Sequence, residues 1–98
     1  MNTIDQFRAF VQTKMAIIRV KMTQRDGESV GDALERTDKL YAEKDATRAV
    51  GYLLDNALDM EELQRTVAAA LPEANGLELD ELQMAQRLID EFENLKKA

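Results

Sequence analysis

The chain has 98 residues, of which 45% are hydrophobic and 33% are charged, and it contains neither cysteine nor histidine. This length and composition predict a single folded domain, residues 1–98, and exclude a disordered chain. The absence of cysteine excludes disulfide bonds and thiolate metal sites. The absence of histidine removes the commonest general base and the commonest transition-metal ligand.

The net charge of −6 is divided unevenly along the chain. Residues 1–25 carry five basic side chains against one acid, a charge of +4, whereas residues 26–98 carry eight basic side chains against eighteen acids, a charge of −10. The N-terminus lacks a basic leader followed by an apolar segment, and no uncharged apolar run approaches the length of a membrane span. We therefore expect a cytoplasmic protein that does not bind membranes.

The first predicted helix covers residues 3–25 and is long for so small a domain. Its length is about 30 Å at the usual rise per residue. Large apolar side chains recur along it at helical spacing, and they form one stripe: Ile4, Phe7, Val11, Met15, Ile18 and Met22. The turn signal Asp26-Gly27 ends it.

A second uncharged face lies opposite that stripe. It consists of Ala9, Thr13, Ala16 and Val20, which recur at a 4-3-4 spacing where a surface helix normally carries charge. Two interpretations remain open for a helix that is apolar on two sides. Either it is the central helix of a bundle, or the second face is a contact surface for another copy of the chain.

Four further helices are predicted, over residues 30–43, 46–58, 60–71 and 80–96. Between Tyr41 and Ala46 the apolar stripe moves by about half a turn of the helical wheel, which predicts a break at Lys44–Asp45. Because no glycine or proline marks the break, one continuous helix with partners on two sides is the alternative. The predicted fold class is all-α, a compact bundle of about five helices whose long N-terminal helix is either central or at a dimer interface.

No motif in the sequence predicts chemistry. The acidic pairs lie on predicted helix surfaces rather than in an apolar pocket, and the four glycines are too scattered to form a phosphate-binding loop. A carboxylate-bridged metal bundle would need Glu-x-x-His motifs, and histidine is absent. We therefore predict that the protein is not an enzyme and has no catalytic residue, metal site or cofactor.

The basic side chains of the first predicted helix are the candidate contacts to an anionic partner. They lie on both flanks of the apolar stripe: Arg8, Lys14, Arg19, Lys21 and Arg25. The favoured interpretation is that they extend from the edge of the core towards acids of the fourth and fifth predicted helices. The alternative is a nucleic-acid-associated regulator that contacts phosphates through this helix, although the net charge of the chain opposes such binding.

Acidic side chains on and just before the last predicted helix form the candidate partner surface: Glu78, Asp80, Glu81, Asp90, Glu91 and Glu93. Such a surface is typical of soluble proteins. The alternative is that the protein is an acidic inhibitor that mimics nucleic acid and binds a nucleic-acid-binding protein. We predict a small acidic protein-interaction module, acting as an adaptor, inhibitor or structural subunit. Its partner is another protein, and homodimerisation through the first helix is expected to accompany that role.

Overall fold

The structure is a computed structural model that describes residues 3–23 and 27–97. Helix α1 spans Thr3–Lys21, α2 spans Val30–Asp55, α3 spans Met60–Ala70 and α4 spans Gly76–Lys97, with one turn of 3-10 helix at Leu71–Glu73 before α4. Within the described ranges the regular structure is entirely helical, which confirms the all-α class. The described residues contain four α-helices and one turn of 3-10 helix, so the predicted number of about five helices is matched only roughly.

The core lies where α4 packs across the hairpin formed by α1 and α2, and α3 covers part of α4. Its centre is aromatic. Phe7 of α1 is fully buried, and its ring centroid lies 5.2 Å from that of Phe92 on α4 in an edge-on arrangement. Phe10 packs beside both rings at 6.1 and 5.6 Å. Edge-on pairs of this kind add stability beyond the burial of apolar area.

The first helix begins where it was predicted to begin. Its apolar stripe packs into the bundle, since Ile4, Phe7, Val11 and Ile18 are buried. The helix ends at Lys21 rather than at residue 25, and Arg25 lies outside the described residues.

The predicted break at Lys44–Asp45 is wrong, because α2 is one continuous helix of 26 residues. All of its buried side chains belong to the second half, from Ala46 onwards. In the first half Val30, Leu34 and Tyr41 are exposed. The helix therefore buries only the stripe of its second half and leaves the stripe of its first half exposed. It stays continuous because no glycine or proline near residue 44 interrupts its hydrogen bonds.

The last two helices differ from their predicted bounds at their ends. Asp59 caps α3, because its carboxylate accepts from the Glu62 amide at 2.8 Å. Pro72 falls in the 3-10 turn that follows α3. Helix α4 begins at Gly76, four residues before the predicted start. The sequence did not predict this first turn. Leu77, which lies in it, is 80% exposed and is not part of the buried stripe.

Arg36 of α2 closes the connection between α1 and α2. Its guanidinium donates to both carboxylate oxygens of Glu28 at 2.8 Å, to the carbonyl of Thr23 at 2.9 Å, and to the carbonyl of Lys21. The hydrogen bond to Glu28 raises the pKa of Arg36. Arginine is charged throughout the physiological range, so the Glu28 carboxylate meets a full positive charge. We name these hydrogen bonds the Arg36 clip.

Two glycines give a matched prediction about helix stability. Gly51 lies within α2, and an added Cβ would meet no atom within 4 Å. Gly51→Ala should therefore raise the free energy of unfolding by about 0.5–1 kcal/mol, because alanine loses less backbone entropy on folding. Gly76 has φ +62°, so Gly76→Ala should lower the same quantity by about 1–2 kcal/mol. Urea denaturation followed by circular dichroism measures both, and equal effects at the two positions would contradict the prediction.

Candidate interaction surfaces

The described part of the chain contains no group of three or more side chains positioned to hold a metal ion. Among these residues, no buried side-chain nitrogen or oxygen lacks a hydrogen-bond partner. A membrane span needs a long and uncharged helix, and none of the helices in the described ranges meets that requirement. The features that stand out are instead two exposed, mostly apolar helix faces.

The first face is the predicted second face of α1, which we call the α1 face. All four of its residues are exposed: Ala9, Thr13, Ala16 and Val20. Because these four residues are exposed and the buried side chains of α1 all belong to the opposite stripe, α1 is not a central helix, and that interpretation is wrong for the single chain. The Thr13 hydroxyl donates to the carbonyl of Ala9 at 3.0 Å, so its hydrogen-bonding need is met within the helix.

The second face lies on the first half of α2 and was missed as a surface. We call it the α2 seam, and it consists of Val30, Leu34, Thr37 and Tyr41. Val30 is 69% exposed, Leu34 59% and Tyr41 53%, whereas Thr37 is half-buried. The Thr37 hydroxyl donates to the carbonyl of Ala33 at 2.8 Å. The sequence indicated this face through the change in direction of the apolar stripe after Tyr41. That change predicted a helix break instead of an exposed face.

The candidate basic contacts do not form one surface. Lys14 lies 2.8 Å from the Glu91 carboxylate of α4 and 5.3 Å from the centroid of the Phe10 ring, as predicted for a cation at the edge of the core. Arg8 instead pairs with Asp5 of its own helix at 3.3 Å. Arg19 and Lys21 are exposed and form no ion pair with a described residue.

The candidate acidic surface is also divided. Glu78, Asp80 and Glu81 lie in the first two turns of α4, and the other three acids lie near its C-terminal end: Asp90, Glu91 and Glu93. About nine residues of helix, or about 13 Å, separate the two groups. Glu91 is already paired with Lys14. The structure therefore does not bring these six acids together into one patch.

Comparisons of this chain with protein-family models, with curated proteins and with solved structures find no match.

Proposed function

We propose that this chain is a non-catalytic protein-interaction module, an adaptor, inhibitor or structural subunit, that also associates with itself through the α1 face. The observation that supports the proposal best is the exposure of that face. Four residues spread over twelve positions of one helix are uncharged and exposed in the folded chain. A stripe of this spacing is the pattern by which two helices pack closely against each other.

The dispersal of the charged residues favours protein contact over contact with nucleic acid. Phosphate binding is strongest when several cations line one face. Here Lys14 is tied to Glu91 and Arg8 to Asp5. Arg19 and Lys21 are the remaining candidate basic contacts in the described part of the chain. Both are exposed, and neither forms an ion pair with a described residue. We therefore expect no salt-sensitive shift of DNA or RNA in a gel at physiological salt.

Light scattering after size exclusion tests the self-association. At tens of micromolar we expect a mass of at least twice the 11.1 kDa chain. Ala16→Glu should return the protein to a monomer without loss of helix content, because it places a charge in the contact but not in the core. Ala69→Glu is the matched control, since Ala69 is an exposed alanine on α3. A monomeric wild-type protein, or dissociation by both variants alike, would contradict the proposal.

A further inference from the structure

The α2 seam is an apolar face whose three large side chains are exposed in the described part of the chain. The side chains that are large and exposed there belong to the half of α2 that extends beyond the core, since burial begins only at Ala46. Val30, Leu34 and Tyr41 are each more than half exposed. A cluster of such side chains on one helix face is typical of a protein contact rather than of an ordinary surface.

The spacing of the seam matches the spacing of the α1 face. Val30, Leu34, Thr37 and Tyr41 follow one another at intervals of four, three and four residues. The α1 face has the same intervals and therefore the same length, about 16 Å. Helices that pack as a coiled coil need this shared repeat, because each side chain must meet a gap in the facing helix.

The sizes of the side chains on the two faces are complementary. The α2 seam presents valine, leucine and tyrosine, whereas the α1 face presents two alanines, a threonine and a valine. Large side chains opposite small ones fill the space between two helices. The single threonine on each face already donates to a carbonyl of its own helix, so burial would leave neither hydroxyl unsatisfied.

The charges of the two helices decide which helices pair. Helix α1 carries four basic side chains and one acid, a charge of +3, of which the Lys14–Glu91 ion pair with α4 offsets one. Helix α2 carries four basic side chains and six acids, a charge of −2. Two copies of α1 would repel each other, and so would two copies of α2. A pairing of α1 with α2 of another copy is attractive.

We infer that the α2 seam of one copy binds the α1 face of a second copy. The inference rests on the proposed self-association and names the surface that covers the α1 face. Because the two surfaces differ, each copy keeps one free α1 face and one free α2 seam after a first contact. Association of this kind continues beyond two copies unless the copies close into a ring.

Mixing two variants tests the inference. Ala16→Glu disables the α1 face, Leu34→Glu disables the α2 seam, and each variant alone should be monomeric by light scattering. A 1:1 mixture should form a dimer of twice the 11.1 kDa chain mass, because one intact seam meets one intact α1 face and no further contact is possible. Leu95→Glu is the control for Leu34→Glu, since Leu95 is 61% exposed on α4 and belongs to neither face.

The outcomes separate this inference from the proposed function. If Leu34→Glu still associates while Ala16→Glu does not, the proposed self-association stands and the pairing with α2 is wrong. The same conclusion follows if both variants are monomeric and their mixture is monomeric too. If the wild-type protein is a monomer, or if Ala16→Glu still associates, the proposed function and the inference both fail. Circular dichroism on each variant checks that the helices are intact.

Discussion

Replacing Phe7 by alanine should lower the free energy of unfolding by about 3–5 kcal/mol. Phe7 is fully buried and meets the rings of Phe10 and Phe92, so truncation removes its own buried area and leaves a cavity beside both partners. A domain of this size has a total stability of about 5–15 kcal/mol. The change should therefore remove a large fraction of it, and urea denaturation followed by circular dichroism measures the loss.

An exposed aromatic residue provides the control for Phe7. Tyr52 of α2 is 65% exposed, and Tyr52→Ala should change the free energy of unfolding by less than about 0.5 kcal/mol. If Phe7→Ala costs no more than Tyr52→Ala, the aromatic cluster is not the centre of the core.

Replacing Lys44 by proline should cost about 3 kcal/mol or more. Lys44 lies in the interior of the continuous helix α2. Proline there removes one backbone hydrogen bond, and its ring collides with the carbonyl one turn earlier. If two helices met at Lys44–Asp45 instead, the chain would tolerate proline at the junction. Urea denaturation of Lys44→Pro therefore distinguishes one helix from two.

Lys44→Ala separates the effect of the backbone from that of the side chain. The Lys44 ammonium lies 5.9 Å from the centroid of the Tyr41 ring, a contact worth about 0.5–1 kcal/mol at an exposed site. Lys44→Ala should lose no more than that. A loss from Lys44→Pro equal to the loss from Lys44→Ala would show that the helix is already interrupted at this point.

The side of each helix that faces the core could be predicted from the sequence, because side chains three and four residues apart share a face. Met60, Leu63 and Val67 follow this spacing in the sequence, and all three are buried on α3. Serine is a favoured residue at a helix N-cap, and the Ser29 hydroxyl accepts from the Asp32 amide at 3.1 Å. Local spacing and local hydrogen bonds are sufficient for predictions of this kind.

How far along a helix the core extends could not be predicted, because periodicity gives an angle around the axis and not the position of the neighbouring helices. Leu95 continues the helical spacing of the buried stripe of α4, yet it is 61% exposed. Leu34 and Tyr41 are exposed for the same reason, because the first half of α2 extends beyond the core. The exposure of the α2 seam was therefore not predicted, although the regular spacing of its four residues can be read from the sequence.

The Arg36 clip has a consequence for any assembly built on the two faces. It ties the carbonyls of Lys21 and Thr23, at the end of α1, to a side chain in the second turn of α2. Opening the last turn of α1 would break these hydrogen bonds to α2, so the clip opposes a change in the angle between the two helices. Identical copies joined face to seam would repeat with a constant rise and rotation. The helix angle that the clip helps to hold would then contribute to the pitch of such a filament.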